Sequence, residues 1–323
     1  MYCAFSVMKD TKNKEMIDVM LKKYMLIMVL LFSVMLPINS FGAGTVKMAQ
    51  VMTLYSDDNA ESPGPLKQPM GVACSEDSFI VADSGNGRLL KYSFLDGEVK
   101  AEAEFKVPEL LHPVTVGINS KGDIFALDGI KRRIVRLSPD GKFISFVEPA
   151  GMPSQSSYVP KSFYIDKSDN MYILDIFSER VIVLDPEGAY LKQIKFHEDT
   201  GFASDVSVDF KGNVLLVDSI NARIFYAAKG SEVFSPLTES LRNHVRFPTN
   251  LTTDKRGRIH LVDRNGSLII SLGQDGSFLG QSSGFGWKDG LLNYPSQICM
   301  NSKGEVAIAD TNNSRVQIFK LLR

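Results

Sequence analysis

The chain has 323 residues, of which 44% are hydrophobic and 23% are charged, with 25 Gly and 14 Pro. This composition is typical of a globular protein and excludes a disordered, collagen-like or disulfide-framework chain. The 36 basic and 37 acidic residues give a net charge of −1. Proteins that hold a phosphate backbone mainly by counterion release need a basic excess, so the charge disfavours a nucleic-acid partner.

The N-terminal region has the pattern of a secretory signal peptide. Lys22 and Lys23 precede an apolar run from Tyr24 to Leu36, and the small residues Ser40 and Gly42 follow it. The run is shorter than the roughly 20 residues of a membrane-spanning helix. We therefore expect residues 1–43 to be an extension and signal peptide of an exported, periplasmic or extracellular protein. An uncleaved N-terminal anchor is the alternative, and it would be the protein's contact with a membrane.

A repeat fills the rest of the chain. Aspartates recur every 43 to 47 residues, and an arginine follows five residues after most of them. The aspartates are Asp83, Asp128, Asp175, Asp218, Asp263 and Asp310, and the arginines are Arg88, Arg133, Arg180, Arg223 and Arg315. Each unit contains four short β-rich segments separated by turn residues. This pattern predicts an all-β protein, a six-bladed β-propeller of four-stranded antiparallel blades over residues 44–323.

The ends of the chain predict how the ring closes. The sequence stops after the third strand of the sixth unit, and a strand-like segment from Val46 to Tyr55 precedes the first unit. We expect this N-terminal strand to complete the last blade, because an unpaired strand edge favours aggregation.

Two cysteines follow the predicted signal, Cys74 and Cys299. An exported protein permits a disulfide, but the two residues are one position out of phase in their repeats. Side chains of successive strand residues point to opposite faces. The sequence therefore predicts two buried, reduced thiols that point apart.

The repeat resembles that of the NHL family. The stretches Gly64 to Pro69 and Gly290 to Pro295 have the form G-x-L-x-x-P, and Ala82 to Arg88 and Ala309 to Arg315 have the form A-D-x-x-N-x-R. The resemblance implies a six-bladed propeller, but it does not define an activity, because one fold hosts many functions.

The repeated aspartates and arginines are interpreted as structural. Each aspartate is expected to cap the turn after its second strand, and each arginine is expected to pack against a neighbouring blade.

Ligand binding is expected on the face that carries the long connections between blades. Three of them are long, and aromatic and basic residues in these loops are the candidate ligand-binding residues: Tyr158, Arg242, His244, Arg246, Trp287 and Tyr294. For the last loop, the preferred interpretation is that Phe285, Trp287 and Leu292 fill the interface between blades, and recognition of a ligand by Trp287 is the competing one.

Three histidines also fall in connections between blades, namely His112, His197 and His244. Imidazoles on one rim could hold a catalytic zinc, and lyases related to NHL proteins use histidine-bound metal. No paired histidine motif is present, so scattered surface histidines are the preferred interpretation.

The sequence thus favours a non-enzymatic binding or scaffold module for a protein, peptide or glycan. It is expected to be a monomer without a cofactor. The alternative is a metal-dependent lyase or hydrolase with a histidine-lined site at the channel mouth.

Overall fold

The computed structural model describes residues 46–56, 64–95, 98–153 and 158–322. The expected signal peptide and its boundary at residue 43 lie outside these residues. Helical structure in the described residues is confined to two single turns of 3-10 helix, Ser84–Asn86 and Thr311–Asn313. Nothing helical in these ranges has the length and hydrophobicity needed to cross a membrane.

The described chain forms six antiparallel sheets of four strands, and each sheet is one blade. Blades one to three are formed by β2 Gly71–Cys74, β3 Ser78–Asp83, β4 Arg88–Leu95, β5 Glu98–Phe105, β6 Pro113–Ile118, β7 Ile124–Asp128, β8 Arg133–Leu137, β9 Phe143–Phe146, β10 Pro160–Ile165, β11 Met171–Asp175, β12 Arg180–Leu184 and β13 Tyr190–Lys195. Blades four to six are formed by β14 Ala203–Val208, β15 Val214–Asp218, β16 Arg223–Ala227, β17 Ser235–Pro236, β18 Pro248–Thr253, β19 Ile259–Asp263, β20 Leu268–Leu272, β21 Phe278–Ser282, β22 Ile298–Met300, β23 Glu305–Asp310, β24 Arg315–Leu321 and β1 Met48–Leu54.

The blades form a closed ring around a central channel. The first strand of each blade contacts the first strand of the next, and β22 of blade six contacts β2 of blade one. The second strands, such as β11 and β15, are buried along their whole length. A strand covered on both faces is expected to be apolar at successive positions, and Val214–Asp218 shows this pattern. The predicted six-bladed propeller is confirmed.

The N-terminal strand completes the last blade, as predicted. β1 pairs antiparallel with β24, from Met48 opposite Leu321 to Leu54 opposite Val316. The last blade is therefore assembled from both ends of the propeller sequence, and the outer edge of β24 is covered.

The prediction for the cysteines is wrong, because Cys74 and Cys299 form a disulfide with their Cα atoms 5.5 Å apart. Cys74 pairs with Phe79 in blade one, and Cys299 pairs with Ala307 in blade six. The two residues do lie on opposite faces of equivalent strands. One face of a blade packs against the opposite face of its neighbour, so out-of-phase positions in adjacent blades meet.

The antiparallel order separates two kinds of connection. The turn that follows each repeat aspartate lies at the same end of the blade as the connection to the next blade. We call this end the loop-rich face and the other end the short-turn face. Glycines with positive φ shape the short turns, as at Gly122 and Gly304, where a left-handed backbone favours glycine.

Candidate binding face and channel mouth

The six repeat aspartates fasten the loops of the loop-rich face. Each side chain is at most 1% exposed. Each accepts a hydrogen bond from a backbone N–H that lies 16 or 17 residues earlier, in the connection entering its own blade. The donors are Lys67 to Asp83, Leu111 to Asp128, Val159 to Asp175, Gly201 to Asp218, Arg246 to Asp263 and Asn293 to Asp310. The aspartates therefore hold all six connections against the turns beside them.

These backbone bonds set the charge state of the aspartates. Burial by itself would raise the pKa of Asp128, but the N–H groups of Leu111, Lys131 and Ile130 outweigh burial and lower that pKa. Burial is similarly outweighed at Asp218, where the N–H groups of Gly201 and Phe202 lower the pKa. These two carboxyl groups are therefore held in the ionised form that accepts hydrogen bonds.

Three of the repeat arginines pair with their aspartates. The Nε to Oδ2 distances are 2.7 Å for Arg88, 3.0 Å for Arg180 and 2.6 Å for Arg315. In the described part of the chain, Arg133 and Arg223 form no such pair. The arginines are expected from the sequence to pack on a neighbouring blade. Arg88 and Arg315 instead donate hydrogen bonds to backbone carbonyl groups in the connection that enters their own blade.

Arg315 is 1% exposed and organises the loop before blade six. Its guanidinium donates to the carbonyl oxygens of Trp287 at 2.8 Å, Lys288 at 3.0 Å and Leu291 at 2.8 Å. The backbone of the loop is thereby fixed from the inside.

This loop does not bury its aromatic side chains. Trp287 is 76% exposed and Phe285 is 67% exposed, whereas Leu292 is fully buried. Only Leu292 fills the interface between blades, so the interpretation of all three as interface residues is wrong for the two aromatic residues. Because Arg315 holds the loop by its carbonyl groups, the rings are left to face solvent.

The other candidate ligand-binding residues differ in accessibility. Tyr158 is half-buried, its hydroxyl donates to the carbonyl of Val147 at 2.8 Å, and burial raises its pKa to about 12. Tyr294 is 40% exposed. Arg242, His244 and Arg246 are exposed on the connection before blade five. The His244 ring stacks on Phe278 with centroids 4.1 Å apart, and Arg242 donates to the carbonyl of Ile220.

The sequence interpretation missed a row of apolar side chains on the same face. Ile130, Phe177 and Ile220 are 65%, 67% and 53% exposed. Each lies two residues after the repeat aspartate, in blades two, three and four, where blades one and six carry Gly85 and Asn312. We call these three residues the apolar arc. An apolar residue at this turn position, two residues after the aspartate, is visible in the sequence and would have indicated these exposed side chains.

A ring of residues, polar in five of the six blades, lines the channel below this face. Register shifts in β6, β10, β14 and β18 fall at the same point in each strand. A bulge of this kind redirects side chains. The residues that follow the bulges, with their equivalents in blades one and six, are Gly71, Thr115, Ser162, Asp205, Asn250 and Gln297, and we call them the channel ring. A Cβ on Gly71 would lie 3.1 Å from the Gln297 amide oxygen, so the glycine leaves room for that side chain.

Asp205 is the acidic member of the channel ring and is 4% exposed. One oxygen accepts from the Ser162 hydroxyl, and the other accepts from Asn250 Nδ2 at 2.6 Å and from the Leu251 N–H at 3.0 Å. Burial raises the pKa of Asp205 to about 7, although these hydrogen bonds oppose the shift. The carboxyl group links blades three, four and five.

Two cations stand above Asp205 at the channel mouth. Lys161 and Arg264 line a cavity of about 150 Å³ together with Phe202, Phe247 and Thr249. The Lys161 ammonium lies 5.8 Å from the centre of the Phe202 ring. Burial lowers the pKa of Lys161. The positive charges of Arg264 and Arg132 lower this pKa further, whereas the negative charge of Asp205 raises it. The mouth therefore carries two positive charges, of which Arg264 is half-buried and Lys161 is exposed.

The histidines considered as metal ligands have separate surroundings. His112 Nδ1 lies 3.0 Å from the carbonyl oxygen of Ser84, His197 stacks on Phe225, and His244 stacks on Phe278. Within the residues that the structure describes, no three His, Cys, Asp or Glu side chains are grouped so that they could hold a metal ion. The structure does not bring His112, His197 and His244 together.

Comparisons with known proteins agree with the repeat. The NHL repeat family model matches residues 292–319, in the last blade. NHL repeat-containing protein 3 of Mus musculus is 24% identical over 190 residues, and that of Homo sapiens is 24% identical over 192 residues. Each alignment covers 52% of this chain and 55% of the relative, so the match spans about half the length of these curated relatives.

Solved structures share the fold at low identity. A streptogramin B lyase structure is 14% identical with a TM-score of 0.60, covering 84% of this chain and 99% of the other. A gluconolactonase from Xanthomonas campestris is 12% identical with a TM-score of 0.62, covering 85% of this chain and 92% of the other. At such identities the likeness shows the fold alone. The family-model match, the similar NHL repeat-containing proteins and the six blades together confirm the predicted resemblance of this chain to NHL-repeat propellers.

Proposed function

We propose that this protein is a non-enzymatic binding module that presents its loop-rich face to a protein or peptide. One observation carries the proposal, which is that five large apolar side chains are more than half exposed on this face. They are Ile130, Phe177, Ile220, Phe285 and Trp287. Exposed apolar side chains gathered on one face are typical of an interaction site, and tryptophan is enriched among residues that dominate binding energy.

The way the loops are held supports this proposal. The connections are bonded to buried aspartates, and Arg315 fixes the backbone beside Trp287. A loop that is already ordered loses less conformational entropy when a partner binds. The face is therefore suited to recognition by a rigid surface, with Arg242 and Arg246 as polar contacts beside the apolar arc.

We also propose that the protein works after export, in the periplasm or outside the cell. The disulfide between Cys74 and Cys299 supports this location, because such bonds persist in oxidising compartments and are rare in the cytosol. The apolar segment predicted as a signal peptide supplies the route.

The binding face is tested by the double variant F177S/W287S, compared with F210S/V233S. Phe210 and Val233 are also exposed, at 45% and 50%, but they lie towards the short-turn face. Partners are first captured from the native envelope by cross-linking, and their affinities are then measured. We expect the first variant to weaken binding by about tenfold or more, as for residues that dominate an interface, and the second to leave it unchanged.

Three results would contradict the proposal in whole or in part. Equal binding by both variants would place the interface elsewhere. Stoichiometric zinc in the purified protein, lost when His112 and His244 are replaced, would instead support the metal-dependent lyase or hydrolase considered from the sequence. Binding of a purified glycan, but of no protein or peptide, would keep the face and change the class of ligand.

A further inference from the structure

We propose that the channel mouth binds a carboxylate group of the bound partner, held between Lys161 and Arg264. The inference rests on the proposed function, since the carboxylate would belong to a peptide lying on the loop-rich face. It is either the C-terminus of that peptide or an aspartate or glutamate side chain.

The first argument is that the two cations have no anionic partner. Among the described residues, neither the Lys161 nor the Arg264 side chain forms an ion pair or a hydrogen bond. The nearby Asp205 does not neutralise them by contact, since its oxygens accept from Ser162, Asn250 and Leu251. Arg264 is half-buried and Lys161 is exposed at the rim of the same cavity. Two neighbouring positive charges without a carboxylate in contact favour an anion between them.

The second argument is an unused donor on a residue that lines the same cavity. The Thr249 hydroxyl is buried and has no hydrogen-bond partner among the described residues. Thr249 lies at the bulge of β18, at the position equivalent to Lys161 in β10, and both line the cavity. Buried hydroxyl groups are nearly always bonded, so a free one beside two cations indicates a place for an acceptor.

The third argument is size. The cavity measures about 150 Å³, whereas pockets for drug-sized ligands measure roughly 300–1,000 Å³. The walls contributed by Phe202 and Phe247 leave room for one small group rather than for a whole metabolite. A carboxylate on a side chain or at a chain end fits this space. The planar guanidinium of Arg264 can donate two parallel hydrogen bonds to it.

The inference is tested with three short peptides on the intact protein by nuclear magnetic resonance. The probes are acetyl-Gly-Gly-Phe with a free C-terminus, the same peptide with a C-terminal amide, and acetyl-Gly-Glu-Phe amide. We expect saturable shifts of the backbone signals of Ser162, Ser204 and Thr249 with a carboxylate peptide and none with the neutral amide. Comparison of the shifts caused by the free acid with those caused by the Glu peptide shows whether the site binds a C-terminal carboxylate or a side-chain carboxylate.

A pair of matched variants tests the two cations. K161Q/R264Q is expected to weaken carboxylate binding by about tenfold or more, because charge-assisted hydrogen bonds are the stronger kind. K121Q/R256Q removes the same charge from the short-turn face, where both residues are exposed, and should bind like the wild type.

Equal shifts with the free acid and the neutral amide, or no shifts at the mouth with any peptide, would overturn the inference. Neither outcome depends on whether a variant folds. If the peptides cause no carboxylate-dependent shifts at the channel mouth while F177S/W287S still weakens partner binding, the inference of a carboxylate site is wrong and the proposed function stands. If F177S/W287S also has no effect, the proposed function itself has failed.

Discussion

Cys74 and Cys299 are joined across the boundary between blade one and blade six, although they are 225 positions apart in the chain. Both lie on the innermost strands of their blades, β2 and β22. At the outer edge of blade six, β1 pairs with β24. The ring is therefore closed at two radii, by a covalent bond beside the channel and by a hydrogen-bonded strand at the rim.

The covalent closure predicts a dependence of stability on redox conditions. We expect C74A/C299A to lower the free energy of unfolding by about 2–5 kcal/mol, because the bond restricts a long loop of the unfolded chain. Urea unfolding with and without a reductant measures the loss. The reductant should destabilise the wild type and leave the double variant unchanged. Alkylation of both Cys74 and Cys299 in the denatured, unreduced wild type would show that the bond does not form.

The strand closure predicts a different defect. Deletion of residues 46–55 removes β1 and exposes the edge of β24, and an open strand edge pairs with other molecules. We expect the deletion variant to aggregate in size-exclusion chromatography. Val51→Thr is the control, since Val51 is exposed on β1 and its side chain is 49% accessible. A monomeric deletion variant that unfolds like the wild type would contradict the role of β1.

The buried pair of Asp310 and Arg315 predicts a strong effect of a single substitution. Asp310→Ala leaves the buried Arg315 with only the exposed Asp289 carboxylate, 3.4 Å from Nη1. Loss of one partner of a buried pair costs about 3–5 kcal/mol. Urea unfolding measures this cost. Since Arg315 holds the carbonyl of Trp287, the fluorescence anisotropy of this single tryptophan should also fall.

Asp77→Ala is the matched control for Asp310→Ala. It breaks the exposed pair with Lys303, whose N–O distance is also 2.6 Å. Surface pairs contribute little to stability, so no measurable change is expected. Equal effects of the two substitutions would show that burial of the Asp310 pair is unimportant.

The sequence predicts those features of the molecule that depend on one repeat at a time. The spacing of the aspartates predicts six blades, and the missing fourth strand of the last unit predicts the pairing of residues 46–55. The disulfide requires knowing which face of blade one meets which face of blade six. Cys74 and Cys299 do lie on opposite faces of equivalent strands, as the sequence predicts. These two faces meet where blade one packs against blade six, so the side chains meet instead of pointing apart.

The channel mouth was beyond sequence reasoning for a similar reason. Lys161 and Arg264 lie in different blades, on a strand bulge and on a turn, and only ring closure brings them to one cavity. Asp205 is a polar residue within an inner strand, which was a visible signal, but its partners Ser162 and Asn250 come from the two adjacent blades. In contrast, exposure of Ile130, Phe177 and Ile220 follows from one turn position and could have been predicted.

The buried Asp205 predicts a pH dependence of stability that one substitution should remove. Its pKa is raised from 3.8 to about 7 in the folded protein. The folded state therefore binds this proton more tightly than the unfolded state. The stabilisation is complete below about pH 4 and is lost as the pH rises to about 7, above which it does not change further.

Asp205→Asn keeps a neutral side chain of the same shape at every pH. Its amide group can donate to the Ser162 hydroxyl, which donates to the carboxylate in the wild type, and its oxygen can accept from Asn250 and Leu251. From pH 5 to pH 8 we expect the wild type to lose free energy of unfolding relative to the variant, on the order of 2–4 kcal/mol. Urea midpoints at both pH values measure the difference, and groups common to both proteins, such as His260, cancel. Parallel pH profiles would mean that Asp205 is ionised throughout, with Lys161 as the cation that keeps it so.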